Sequence, residues 1–284
     1  SKNSEVIVPQ FTMIATAWAV HYAGLKPVFI DCTDDLLIDV SQIEKAITEN
    51  TKVIMVTHIY GRVVNMAQVM ALASKYNLRV IEDAAEAHGC MHNGKMVGAF
   101  DIGCFSFYRN KIICGEEGGA VTSNNLQYLA VVRDMKSMSF GKHHDYLHRR
   151  IGFNYRMTNS QAELIIKSLR EVDDNIDRRR TAAELYDKQL CSDILMPSRD
   201  VPWVYDVRVP DNTIVENLKV LGIQARYGFK PVSHSQPFNI VNTDEKCFEL
   251  SKQILYLPVL VDNESVISNS KQLTSLVYDN KLIY

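Results

Sequence analysis

Lys111 stands among apolar neighbours, Phe105, Phe107, Ile112 and Ile113, in the stretch from Cys104 to Gly119. An amine at the edge of a core loses hydration, its pKa falls, and it becomes a usable nucleophile. A lone lysine between two strands is ordinarily a surface residue, so other groups must support the chemical reading. Asp83 does so from 28 positions earlier, at the end of the run Arg79-Val80-Ile81-Glu82-Asp83. A carboxylate at a strand end, pointing into a cleft, can hold a cationic ring nitrogen; taken alone it reads equally as a helix cap or a loop acid. Ser106, five residues before Lys111, could donate its hydroxyl to a phosphate. The turn Gly115-Glu116-Glu117-Gly118-Gly119 is too acidic to cradle a phosphate and reads as backbone packed close to the same site.

The elements that must position these groups follow from the hydrophobic pattern. Strands are expected at Glu5–Pro9, Pro27–Asp31, Lys52–His58 and Arg79–Asp83. Between them lie helical patterns: Phe11 to Gly24, closed by glycine; Asp39 to Ile47, with Asp39 as N-cap; and Asn65 to Tyr76. Strands alternating with helices argue for a parallel sheet covered on both faces, with ligands at the carboxyl ends of the strands. Three polar clusters stand at those ends: Thr57–Gly61, Glu82–Gly89 and the Lys111 stretch. Cys90 to Val97 predicts a hairpin on Asn93-Gly94. A strand over Gly119–Ser123 and a helix over Asn125–Met138 follow. Ser160 to Leu190 is strongly helical and reads as a connector to a smaller domain. There the pattern predicts strands at Val204–Val209 and Ile223–Phe229 and a helix over Thr213–Leu221 ended by Gly222. A helix over Cys247–Leu255, a strand end at Leu257–Leu260 and a last helix from Glu264 to Tyr278 complete it. The organisation expected is a large domain over 1–158 and a connecting helix with a small C-terminal domain over 159–284.

Composition narrows the function classes. The 284 residues are 46% hydrophobic and 23% charged, enough for a globular core. Net charge is −2 and the longest basic run is Arg178-Arg179-Arg180, expected on a solvated helix, so nucleic acid is not the expected partner. The six cysteines are scattered without a C-x-x-C and read as reduced core thiols of a cytoplasmic protein. No signal-peptide pattern and no apolar stretch of bilayer length is seen, so no membrane partner is expected. His143, His144 and His148 lie in a polar segment at 141–150, but their spacing fits no familiar metal site, and it reads as a solvated loop with no metal. Neither a Gly-x-Gly-x-x-Gly after the first strand nor a Walker pattern is present.

An amine that can form an imine, facing an acid that can keep a pyridine nitrogen protonated, is what pyridoxal phosphate requires. The motifs Val6–Thr12, His58–Gly61, Ile81–Gly89, Gly103–Tyr108, Lys111, Gly118–Ala120 and Gly152–Met157, in that order, resemble the DegT/DnrJ/EryC1/StrS sugar aminotransferases. The resemblance runs from the first residues to the final helix and implies a fold-type I α/β architecture. Its large domain would hold a mostly parallel, seven-stranded-type sheet between helices, with a smaller C-terminal α+β domain.

By that resemblance Lys111 is the Schiff-base lysine and general acid/base, and Asp83 the partner of the pyridine nitrogen. Glu86 would contact the ring hydroxyl, Ser106 the phosphate, and Asn154 or Arg156 the phosphate site of a neighbouring subunit in a homodimer with shared active sites. Met13 stands where an aromatic usually covers the pyridine ring, and Trp18 where asparagine is usual. Arg226 to Pro237 resembles the substrate loop of the perosamine-synthase-like branch, which puts Arg226 and His234, with Tyr108, among the expected substrate contacts. Relatives carry several dozen residues ahead of the first strand seen here, including a loop that binds the cofactor phosphate. The implied reaction takes an amino group from L-glutamate and places it at C4 of a nucleotide-linked 4-keto-6-deoxy sugar. Dehydratase relatives have histidine in place of Lys111. The alternatives are a truncated homologue of the same fold without activity, and a pyridoxal-phosphate-dependent sugar dehydratase.

Overall fold

The computed structural model describes residues 3–140, 146–148 and 150–278. The chain runs β1 (Glu5–Pro9), α1 (Ile14–Tyr22), β2 (Lys26–Ile30), α2 (Val40–Ala46), β3 (Thr51–Thr57), α3 (Met66–Tyr76), β4 (Arg79–Asp83), β5 (Met91–His92), β6 (Lys95–Met96), β7 (Ile102–Ser106), β8 (Gly119–Ser123) and α4 (Leu126–Met135). It continues through α5 (Asn159–Arg170), α6 (Val172–Gln189), β9 (Tyr205–Arg208), α7 (Ile214–Val220), β10 (Arg226–Tyr227), α8 (Lys246–Gln253), β11 (Ile254–Leu257) and α9 (Asn263–Tyr278). The main sheet has the order β2-β1-β3-β4-β7-β8, parallel throughout except for β8. It therefore has six strands among the described residues, where the family resemblance implied seven.

Alternation along the central strands explains why both faces must be covered. On β1, Ile7 enters one cluster while Val6 and Val8 enter another with Val20 of α1. On β3, Ile54 and Val56 join the first face, with Ile43 of α2 and Val69 of α3, while Met55 joins the second. Period-two strands buried on both sides are the signature of a parallel sheet between helices. The predicted cap at Asp39 holds, and Asn65 and Asn125 cap in the same way, each accepting a backbone N–H of the helix that follows. The hairpin turns on Asn93 and Gly94, both at positive φ (50° and 76°).

Other boundaries moved. The helix expected from Phe11 begins only at Ile14, and Phe11 is instead fully buried against Tyr60 and Phe229. The helical run 160–190 is two helices, broken at Glu171, whose φ of −100° leaves the helical range. The helix expected over Cys247–Leu255 stops at Gln253, because Ile254–Leu257 pairs with β9 as a strand. The strand expected over Ile223–Phe229 is only β10. Of the three consecutive arginines, Arg179 is 2% exposed, not solvated, and Cys191 is an exposed thiol, not a core one. The segment 141–145, with His143 and His144, lies outside the described residues. No helix among the described residues is long and apolar enough to cross a membrane.

The second sheet, antiparallel in the order β10-β11-β9, has two different faces. Leu255 and Leu257 of β11 pack in a separate cluster with α6, α7 and α9. Ile254 joins the core of the main sheet, and Tyr256 packs against it. Asp206 of β9 alternates with Tyr205 and Val207, so it faces the same way as Tyr256, its register partner. There its carboxylate takes two bonds from Arg62 (2.9 and 3.0 Å) and two from Arg199 (2.8 and 2.6 Å), with every side chain buried. Burial works against ionisation of Asp206, yet the Arg199 and Arg62 guanidinium groups hold its carboxyl below the usual range. Gly61, beside Arg62, has φ +88°, and a Cβ there would lie 1.8 Å from the Val201 carbonyl oxygen. Removing the shared anion leaves two buried guanidinium groups uncompensated. Asp206→Ala is expected to lose about 3–5 kcal/mol of folding stability, read as a lowered denaturant midpoint; an unchanged midpoint would show that this junction does not join the two sheets.

Candidate active site

The carboxyl ends of β3, β4 and β7 bring Thr57, Asp83 and Ser106 to one edge of the sheet. Thr57 and Asp83 are register partners on adjacent parallel strands, so their side chains share a face. A row of hydroxyls then fixes Asp83. Thr12 lies 3.0 Å from both Thr57 and Thr16, and Thr16 donates to Asp83 Oδ2 at 2.7 Å. The Ala85 N–H donates to the other carboxylate oxygen at 3.1 Å. Thr12 lies in the bend just before α1 and Thr16 in its first turn, so this short stretch reaches both strands.

Glu86 follows in the loop after β4 and is 4% exposed. Its carboxylate accepts the Tyr60 N–H at 3.0 Å. Tyr60 presents that N–H from a left-handed conformation, φ 54°. Burial raises the Glu86 pKa to about 7, although the nearby Lys111 charge pulls the other way. Lys111 shows the complementary effect: burial lowers its pKa, while Glu86 and then Asp83 oppose the shift and Arg179 adds to it. The ammonium nitrogen sits 3.7 Å from the centre of the Trp203 ring. His88 lies under the same loop, between Phe105 and Phe107. Burial first, then the Lys111 and Arg179 charges, depress its pKa to about 4, so it is neutral at physiological pH.

The structure thus brings Lys111, Glu86 and Asp83 together. Ser106 caps the end of β7, where its hydroxyl accepts the Tyr108 N–H at 3.3 Å. Met13 precedes α1 and is 51% exposed, and Trp18 donates its indole N–H to the Gln236 carbonyl, tying α1 to the 226–239 segment. Asn154 and Arg156 are exposed and bonded to each other at 3.5 Å. Tyr108 is partly exposed beneath Arg109, Arg226 is exposed on β10, and His234 is tucked against Phe248. In the acidic glycine turn, a Cβ at Gly115 would lie 2.3 Å from Ile165, so the close backbone approach there is to α5. Thr16, Trp203 and Arg179 went unpredicted. Thr16 had a signal in its four-residue spacing from Thr12; Trp203, 92 positions after Lys111, had none.

Two other features lie apart from this edge. A hollow of about 560 Å³ opens at Arg79, Asp101 and Ser123, at the opposite end of β4 from Asp83. Asp31, Cys32 and Cys247 bring their donor atoms within 4.8 Å of one another. The Asp31 carboxylate there already accepts the backbone N–H groups of Cys32, Lys246 and Cys247.

Residues 1–265 match the DegT/DnrJ/EryC1/StrS aminotransferase family. The chain belongs to this family. Over 259 residues it is 35% identical to a GDP-perosamine synthase of Caulobacter vibrioides, covering 86% of this chain and 70% of that protein. It is 42% identical over 209 residues to a GDP-perosamine synthase of Escherichia coli O157:H7, covering 72% of this chain and 57% of that one. Against a UDP-N-acetyl-3-dehydro-alpha-D-glucosamine 3-aminotransferase of Acidithiobacillus ferrooxidans the identity is 41% over 199 residues, 69% of this chain and 53% of that enzyme. Among solved structures, DesV of S. venezuelae in complex with a ketimine intermediate superposes with a TM-score of 0.89 at 27% identity, covering 97% of this chain and 78% of that one. The family match shows the aminotransferase fold independently of the site chemistry.

Glu86 makes the site pH-sensitive. Its folded pKa, about 7, lies above the ordinary 4.5, so between those values the folded state binds more protons than the unfolded state. The sign follows: this group destabilises the cofactor-free protein progressively as pH rises from about 4.5 to about 7, with a limiting slope of about 1.4 kcal/mol per pH unit. Glu86→Gln is expected to flatten that slope in denaturation curves across the window; parallel profiles for the two proteins would contradict the assignment.

Proposed function

We propose that this chain is a pyridoxal-phosphate-dependent aminotransferase acting on a nucleotide-linked 4-keto-6-deoxy sugar, with L-glutamate as amino donor. The observation that carries the reading is a half-buried Lys111 amine with Glu86 and Asp83 as its charge partners. The donor set fits the cofactor: an amine for its aldehyde, a carboxylate for its ring nitrogen, and an acid with pKa about 7 that can share a proton with its ring hydroxyl. When bound, pyridoxal phosphate supplies the carrier for the amino group and the electron-withdrawing ring.

Each residue then has a role within reach of its position. Asp83, held by Thr16, keeps its carboxylate toward the ring nitrogen. Glu86 faces the ring hydroxyl, Met13 covers the ring, and Ser106 donates to the phosphate. Lys111 anchors the cofactor and, as a free amine, takes a proton from one carbon and returns it to another. Tyr108, Arg226 and His234 meet the sugar nucleotide. Asn154 and Arg156 complete the phosphate site of a second copy, making a homodimer with shared sites. Exposed Leu164, Ile166 and Leu169 on α5, with the stacked exposed pair Phe153 and Tyr155, support that pairing. The segment 1–158 would be the cofactor-binding domain and 159–284 the connecting helices and small domain.

Amination at C4 is favoured by the names of the perosamine synthases; the 41% identity to a 3-aminotransferase supports amination at C3 as a second reading. Purified protein supplied with pyridoxal phosphate, glutamate and a panel of GDP-, UDP- and dTDP-linked keto sugars is expected to yield a 4-amino sugar and 2-oxoglutarate by mass spectrometry. Turnover of 3-keto sugars alone would move the reaction to C3, and turnover without glutamate would replace transamination by a different chemistry. Lys111→Ala is expected to abolish transfer with an unchanged circular dichroism spectrum. Asp83→Asn should lose about a hundredfold or more in rate, and a near-wild-type rate would remove Asp83 from its role.

A further inference from the structure

Lys111 is carried by a turn that the second half of the chain grips. The indole N–H of Trp203 donates to the Asn110 carbonyl oxygen at 3.0 Å. Arg179, on α6, donates to the same oxygen at 3.3 Å and to the Trp203 carbonyl at 2.5 Å. One guanidinium therefore ties the lysine turn and the tryptophan backbone together, and both side chains are nearly sealed from water, Arg179 at 2% and Trp203 at 6% exposure. On the far side of the turn, Asn175 and Ser168 donate to the Ile112 carbonyl oxygen at 3.4 and 3.5 Å. The Trp203 ring then lies face-on to the Lys111 ammonium, 3.7 Å from ring centre to nitrogen. A cation at that distance from a desolvated indole face is strongly attracted to the ring quadrupole.

The geometry points to Trp203 as a positioning residue for Lys111, its ring face seating the free ammonium. This rests on Lys111 being the reactive amine of the proposed transamination. A lysine that must alternate between holding a cofactor and standing free needs a place to stand. The indole face provides one within the site, without a hydrogen-bond acceptor that would hold the ammonium's protons. The other charges facing Lys111 are Glu86 and Asp83 from the β4 side, which favour the ammonium, and Arg179 from α6, which opposes it; His88 beneath the loop is neutral at physiological pH.

Titration of Lys111 in the cofactor-free full chain tests this. Trace acetic anhydride labelling across a pH series, with the Lys111 peptide quantified by mass spectrometry, gives the acid dissociation constant of the amine. Trp203→Met keeps the site apolar and removes the ring face; the constant is expected to rise about tenfold. Trp203→Phe keeps a ring face and loses only the N–H, and its titration should stay close to wild type. Should the methionine variant fail to fold, Trp203→Leu poses the same question. A methionine or leucine variant that titrates like wild type, or a phenylalanine variant that shifts as far as they do, would overturn the role. The cofactor does not enter this measurement. A protein with the expected Lys111 titrations but no amino transfer would refute the proposed function and leave the seating of Lys111 by Trp203 in place.

Discussion

A half-buried charged amine governs the organisation of this molecule. Lys111 loses hydration, and two acids and an aromatic face must offset that loss. The acids and the aromatic face come from distant parts of the chain. Asp83 ends a central strand, Glu86 follows it in a buried loop, and Trp203 arrives from beyond the two long helices. The site exists only when both sheets are in place, so its chemistry depends on how they are joined.

That junction is itself electrostatic and aromatic. Strand β11 gives alternate residues to two cores, with Leu255 and Leu257 on one side and Ile254 and Tyr256 on the other. Tyr60 contacts Phe11, Phe229, Trp203 and Tyr256, and its own N–H holds Glu86. The buried Arg62–Asp206–Arg199 group lies one turn of chain from Tyr60. Packing that joins the sheets is therefore continuous with packing that orients an acid of the site. Tyr60 sits at positive φ beside a glycine that admits no Cβ, and such conformations persist where the surroundings over-determine them.

The parallel sheet was readable because its strands are short, apolar and separated by capped helices. Lys111 and Asp83 stood out because they are polar residues at the ends of those runs, whereas Glu86 was singled out through the family resemblance. What the sequence left hidden is long-range. Helix α8 gives way to β11 without a breaker, because pairing with β9 overrides local helical preference. Arg179 looked solvated within a charged run, but burial is set by the tertiary neighbours Trp203 and Asn110. Trp203 carried no local motif, and only the folded chain brings it over the lysine. The helix-end threonine row was half visible, in the spacing of Thr12 and Thr16, while its link to Thr57 required the sheet register.

The central claim is that Lys111 is the amine that carries the cofactor, and covalent trapping tests it most directly. The protein is incubated with pyridoxal phosphate, reduced with borohydride, digested and mapped by mass spectrometry. The account predicts a phosphopyridoxyl group on Lys111 in near-stoichiometric amount, with the visible absorption band lost on reduction. A label spread over surface lysines, or none at Lys111, would contradict it.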